Sequence, residues 1–341
     1  FIVLHYNMKN KFGLLALLIF VFVGCRKDKE IIDGPSINEI YSTFKFLQEF
    51  KADRATVDFE AGQTVVFSAA FNKVVNWQIS IEGQTSKAKK IISGEGRAIS
   101  LSNAVWNGST TEFPIFKAEV CLAKLTIKDV TDTFSLTITV AKPKVNAGLV
   151  IADFETGIKS TWTKFVQSGA SMDFNVKTDS LAPQGAKYLK MAGTVNWDYL
   201  IGLIDYPATA YGGAPTLPLE TNPENVYFNC MVYGVPNTNQ SIILFQFKED
   251  ENADGTFNSN NEDEYDYEIK VNWEGWKLIS IKYSDLTTLV NGAPATPKGN
   301  GLRNPNKIGK ISMLHLANPN DGFASSKIDY LIFTSSKPLE P

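Results

Sequence analysis

Tyr265-Asp266-Tyr267-Glu268-Ile269-Lys270-Val271-Asn272-Trp273 places an aromatic or aliphatic side chain at every odd position and a polar one between. A period of two is that of a strand with one face on a core; a helix would scatter the same side chains around its circumference. The alternation recurs in Trp77, Ile79 and Ile81, with Gln78 and Ser80 between them. It recurs again in Phe134, Leu136, Ile138 and Val140, separated by Ser135, Thr137 and Thr139. Almost no stretch carries a helical period, so the chain reads as all-β.

Working outward, residues 38–142 hold such strands between turn signals at Glu60-Ala61-Gly62, Glu82-Gly83 and Asn107-Gly108. That punctuation predicts an Ig- or PKD-like β-sandwich of about 100 residues, with Trp77 in its core. Pro143 and Gly148 then end the alternation and mark a boundary. Residues 149–338 open with Val150-Ile151-Ala152-Asp153-Phe154-Glu155 and close with Lys327-Ile328-Asp329-Tyr330-Leu331-Ile332-Phe333, which are expected to pair as first and last strands. Roughly 190 residues of long strands and long loops predict a β-jelly-roll. In Val226-Tyr227-Phe228-Asn229-Cys230-Met231-Val232, Cys230 shares a face with Val226, Phe228 and Val232 and is expected as a buried thiol.

The net charge of −3, with lysines and acids interspersed, gives no electrostatic basis for a nucleic-acid partner. The only histidines are His5 and His315, which excludes a histidine-rich zinc centre and leaves any Ser-His-Asp triad to His315 alone. His315 stands in the apolar Met313-Leu314-His315-Leu316, where a structural role is expected. Cys25, Cys121 and Cys230 imply no disulfide framework.

Residues 1–24 read as a secretory signal, with Met8 as the expected start. Lys9 and Lys11 precede the apolar run Leu14 to Val23, well short of the roughly 20 residues that span a bilayer, and Gly24 precedes Cys25. The segment resembles a bacterial lipoprotein signal, with Phe22 where leucine is usual. That resemblance implies cleavage before Cys25, acylation of Cys25 and a lasting outer-membrane anchor. Arg26-Lys27-Asp28-Lys29-Glu30 resembles the surface-export tag of Bacteroidetes lipoproteins and implies a protein facing the cell exterior. Residues 25–37 are the lipidated tether.

Asp153-Phe154-Glu155, Gly185-Ala186-Lys187-Tyr188-Leu189, Glu274-Gly275-Trp276-Lys277-Leu278, Tyr283-Ser284-Asp285-Leu286 and Ile328-Asp329-Tyr330-Leu331 resemble the strands of galactose-binding-type jelly rolls. Among these the chain is most similar to carbohydrate-binding modules such as family 11. An Ig-like domain and a jelly roll behind a lipid anchor resemble the surface glycan-binding lipoproteins of Bacteroidetes polysaccharide-utilisation systems. The resemblance implies an outer-membrane transporter complex as partner. It also implies a structural calcium that joins the terminal strands through Glu155 or Asp153 and Asp329.

Two constellations are expected to carry chemistry. Asp250-Glu251-Asn252-Ala253-Asp254-Gly255 puts oxygen ligands at positions 1, 3 and 5 and glycine at 6, the order a calcium loop uses. The carbonyl of Thr256 and the carboxylate of Glu262, or alternatively of Asp263, would complete it. Sugar recognition needs flat aromatic faces with amides and acids at the rim. Asn196-Trp197-Asp198-Tyr199, Tyr206 and Tyr211, with Trp162 and the Asn318-Pro319-Asn320-Asp321 loop after them, are the candidates.

The expected function is non-catalytic capture of a polysaccharide or oligosaccharide at the cell surface, with membrane contact through the lipid anchor only. Two other classes stay open: a protein-binding or adhesive lipoprotein, and a glycoside hydrolase. The hydrolase needs two carboxylates about 5–10 Å apart, and neither a marked pair nor a nucleophile elbow is present.

Overall fold

A computed structural model of the chain describes residues 43–195, 199–236, 241–318 and 322–341. The signal, Cys25 and the tether lie outside the described residues. Among those described, no helix is long and apolar enough to cross a membrane. Strands dominate, and the helical elements among the described residues are short 3-10 turns.

The first body comprises β1 (Phe46–Ala52), β2 (Thr56–Asp58), β3 (Val65–Gly83), β4 (Lys89–Ile99), β5 (Val105–Trp106), β6 (Glu119–Ile127) and β7 (Phe134–Lys142). Odd positions of β3 from Val65 to Ile81 point inward almost without exception, so the strand serves one core along its whole length. It pairs with β1 near its start, with β6 from Trp77 onward, and with β4 and β5. The hydrogen bonds join all these strands into a seven-stranded sheet in which β3 has the most neighbours. Trp77 is buried as expected, and Trp106 is buried more deeply, held edge-on between Phe59 and Phe116 at 4.8 Å from each. Glu119, buried at the start of β6, accepts from the N–H groups of Thr85, Ser86 and Lys117 at 2.7, 2.8 and 3.0 Å and ties the 84–88 turn to the sheet.

The second body comprises β8 (Leu149–Ala152), β9 (Thr163–Val166), β10 (Ser171–Thr178), β11 (Lys187–Thr194), β12 (Leu200–Pro207), β13 (Val226–Gly234), β14 (Ser241–Glu249), β15 (Glu264–Val271), β16 (Gly275–Lys282), the hairpin β17 (Leu289–Val290) and β18 (Ala293–Pro294), β19 (Ile308–Leu316) and β20 (Phe323–Ser335). Two sheets form. One has the order β10-β11-β20-β13-β16 with β8 also on β20, and the other β15-β14-β19-β12-β9. Their inner faces share a core built from the alternate residues of each strand, among them Phe228, Cys230, Phe245, Phe247, Tyr265, Met313 and Phe333. Tyr265 to Val271 lie in β15, with Tyr265, Ile269 and Val271 buried as the alternation predicts, and the strand ends before Asn272 and Trp273. First and last strands pair, Leu331 with Ala152 and Ile332 with Val150. Cys121 and Cys230 are buried free thiols, and burial pushes Cys121 up to about 12. His315 is fully buried, and burial lowers its pKa to about 4, which keeps it neutral.

Residues 113–117 of the first body pack on part of the outer face of the β8-bearing sheet. Ile115 packs with Met231, Tyr330, Ile332 and Leu339, while Ile115 N–H donates to Pro183 O at 3.1 Å and Lys117 Nζ to Ser180 O at 2.9 Å. A cleft of about 830 Å3 beside this seam is lined by Lys90, Lys144, Lys337 and the last residues of the chain.

Candidate functional site

Register decides which expected sugar contacts are surface groups. On β12, Ile204 and Tyr206 face the core while Leu203 and Asp205 face out. Tyr206 is therefore fully buried, its ring edge-on to Trp162 at 4.9 Å, and Trp162 is only 5% exposed. This corrects the expectation for both rings: segment 200–207 is strand, and its parity sends Tyr206 inward against Trp162. Tyr211 is half-buried, donates its hydroxyl to Ile151 O at 2.8 Å and carries Lys159 Nζ 5.2 Å from its ring centre; burial raises its pKa. It ties its loop to β8. Tyr199, 54% exposed at the start of β12, is the described aromatic of the set on the surface. Asn196, Trp197 and Asp198 lie outside the described residues, as do residues 319–321 of the Asn318 loop.

The outer face of the β15-β14-β19-β12-β9 sheet carries a constellation that sequence reasoning missed. Cα pairing aligns Asp205 with Ser312, Ser312 with Gln246 and Gln246 with Asp266, so one polar row crosses four strands. The next row is Phe165, Leu203, Leu314 and Leu244, in which Phe165 is 46% exposed and the leucines are half-buried. On the other flank Lys310 Nζ reaches Asp205 Oδ2 at 3.4 Å and Lys248 Nζ reaches Glu264 Oε2 at 3.6 Å. Gln246 Nε2 donates to Glu264 Oε1 at 2.8 Å. Asp205 Oδ1, Ser312 Oγ and Asp266 Oδ1 are buried and have no hydrogen-bond partner. Asp266 Oδ2 accepts from Leu289 N–H at 2.7 Å, yet burial dominates and lifts its carboxyl to about 7. An unsatisfied buried oxygen costs about 1–3 kcal/mol, and three of them stand in this one row. The available signal was the polar half of each alternating strand; its alignment needs the strand order.

The 250–256 loop directs its side-chain oxygens onto its own backbone. Asp250 accepts from Asp254 and Gly255 N–H at 3.1 and 2.7 Å, Asn252 Oδ1 from Asp254 N–H at 2.8 Å, and Asp254 Oδ1 from Thr256 N–H at 2.8 Å. These are Asx-type turns, which short polar side chains make readily. Glu262, 4% exposed, accepts from Asn258 N–H at 2.6 Å through Oε2, and its Oε1 is buried without a partner. The close trio shares only Glu251 with the loop: ligand atoms of Glu249, Glu251 and Asp263 all fall within 4.8 Å of one another.

At the terminal strands, Glu155 Oε1 accepts from Ala186 and Lys187 N–H, both at 2.8 Å. Asp329 is fully buried and accepts from Tyr330 and Gln184 N–H at 2.8 and 3.3 Å. Burial raises its pKa, and the nearby Glu155 and Asp153 add to the shift. Tyr330 has a left-handed φ of 49° where β20 passes from pairing β11 to pairing β8, so the backbone turns Asp329 toward the start of the domain.

No protein-family model and no curated protein matches this chain. Solved structures are similar to it. The family 11 carbohydrate-binding module of cellulosomal cellulase Lic26A-Cel5E of Clostridium thermocellum is 16% identical with a TM-score of 0.38, over 56% of this chain and 96% of that one. A family 11 module from Clostridium thermocellum in complex with a β-1,3-1,4-mixed-linked tetrasaccharide is 15% identical with a TM-score of 0.38, over 57% of this chain and 98% of that one. SGBP-B from a complex xyloglucan utilization locus in Bacteroides uniformis is 12% identical with a TM-score of 0.32, over 86% of this chain and 72% of that one.

Proposed function

We propose that the outer face of the β15-β14-β19-β12-β9 sheet binds a polysaccharide or oligosaccharide and that the protein captures this glycan without cleaving it. The observation that carries the reading is the polar row Asp205, Ser312, Gln246 and Asp266, with its unpartnered oxygens, beside the apolar row Phe165, Leu203, Leu314 and Leu244. A pyranose presents an apolar face and a rim of hydroxyls that both donate and accept. Carboxylates accept, lysines donate, and Gln246 and Ser312 do both. Lys310 reaches Asp205 on a flexible stem, so it can swing aside as a hydroxyl approaches that carboxylate. Asp205 and Asp266 stand three strand spacings apart, about 14 Å, beyond the roughly 5–10 Å that a glycosidase pair needs.

The setting belongs to the same proposal. Cys25, acylated, anchors the protein at the outer membrane facing outward, residues 25–37 act as tether, and the bound glycan passes to an outer-membrane transporter complex. The apolar run ending at Gly24-Cys25 and the charged stretch after it support this. A single modest site becomes effective on a long chain through multivalency.

The test is retardation of the soluble protein on native gels cast with a panel of polysaccharides, beside Asp205→Ala, Gln246→Ala and Trp197→Ala. Retardation lost in the first two variants supports the sheet face. Retardation lost only with Trp197→Ala moves the site to the 196–199 segment, and none across a broad panel overturns the glycan reading.

A further inference from the structure

We propose that Glu249, Glu251 and Asp263 hold a divalent cation of the calcium class, at a site that takes Glu251 from the 250–256 loop and its other two carboxylates from the residues flanking it. The geometry is the first support. Oxygens bound at about 2.4 Å to one ion lie at most about 4.8 Å apart, which is the limit within which ligand atoms of all three carboxylates fall. The second support is an unsatisfied group inside the trio: Glu249 is fully buried, and its Oε2 meets no donor. Beside it Glu262, 4% exposed, has a buried Oε1 that also lacks one.

The surroundings orient the trio without neutralising it. Asn304 N–H donates to Glu249 Oε1 at 2.7 Å, Asn300 N–H to Glu251 Oε1 at 3.1 Å, and Gly299 and Gly301 N–H to the two oxygens of Asp263 at 2.6 and 2.7 Å. The 299–304 loop therefore clasps each carboxylate and leaves lone pairs on every oxygen. A Cβ at residue 299 would collide with the Glu251 carboxylate, so glycine lets the loop approach this closely. The nearby cation, Arg303, donates instead to Leu286 O at 2.8 and 2.6 Å and lies over the Tyr265 ring. Three close carboxylates repel one another in a low-dielectric site, and a divalent ion removes that repulsion. An all-oxygen donor set without histidine or cysteine favours calcium over zinc. The bound ion would lock the 299–304 loop to the end of β14. This assignment does not depend on the glycan reading.

Terbium, which occupies calcium sites and is excited through nearby tyrosines, tests the proposal on the whole soluble protein. Tyr283 donates to Glu249 Oε1 at 2.9 Å, and Tyr265 OH lies 3.4 Å from Asp263 Oδ2. Terbium emission excited through tyrosine is expected, displaced by calcium, reduced severalfold in a Tyr265→Phe/Tyr283→Phe variant and lost in Glu251→Gln and Asp263→Asn. Calcium calorimetry should show one ion fewer in Glu251→Gln, a half-exposed and conservative change, than in the parent, with Asp254→Asn unaffected. Terbium emission absent from the parent overturns the proposal. So does a calcium stoichiometry unchanged in Glu251→Gln but reduced in Asp254→Asn.

Discussion

Asp205 and Ser312 stand opposite each other on the β12–β19 ladder, and each ends in a buried oxygen with no hydrogen-bond partner. Positions that serve only the fold avoid such groups, since each leaves a desolvation cost unrecovered. Ser312→Ala removes one of them. It is therefore expected to leave stability unchanged or raise it by about 1 kcal/mol in urea titrations, while weakening retention by the glycan severalfold. A loss of stability would make the hydroxyl structural.

Asp266 sets a pH dependence. Its carboxyl is lifted from the ordinary 3.8 to about 7 by burial, so between those values the folded state keeps a proton that the unfolded state releases. Its contribution is present in full below about pH 4, falls as pH rises to 7, and is flat above, a swing of at most about 4 kcal/mol. Asp266→Asn keeps an acceptor for Leu289 N–H and removes the titration. The variant is expected to match the parent near pH 4 and to melt higher above pH 7, which thermal melts across that range would show.

Tyr206 and Trp162 serve the core and not the ligand. The Tyr206 hydroxyl is buried without a partner, so Tyr206→Phe should change stability by no more than about 1 kcal/mol and leave glycan retention intact. Trp162→Ala should cost about 3–5 kcal/mol, with retention unchanged in the folded fraction. Loss of retention with an unchanged melting temperature in either variant would place that ring at the ligand.

Ile115 joins the first body to Met231, Tyr330 and Ile332 of the second. Ile115→Ala is expected to cost about 2–4 kcal/mol and to split one calorimetric transition into two as the seam weakens. A single transition with an unchanged midpoint would mean that the contact contributes nothing to coupling.

The fold was legible wherever alternation ran unbroken. The stretch from Tyr265, the face shared by Val226, Phe228, Cys230 and Val232, and the pairing of the 150–155 and 327–333 segments all follow from period two and apolar matching. Tyr206 was not legible as a core residue, because only the strand's continuation to Pro207 fixes its parity as inward. The order of ligand-type residues from Asp250 to Gly255 was visible, but its oxygens close Asx turns, and the close carboxylates come from Glu249, Glu251 and Asp263.

By itself the sequence determined that this chain is built of strands and which side chains share a face of each, because side-chain direction along a strand is local and alternates strictly. Apart from the pairing of first and last strands, which strands become neighbours was decided only by tertiary structure. Asp205, Ser312, Gln246 and Asp266 sit on four strands in the spatial order β12, β19, β14, β15, which differs from their order along the chain. That order follows from closing two sheets over one core, a global packing requirement that no local stretch encodes. The polar row and the carboxylate trio therefore exist only once the sandwich has formed.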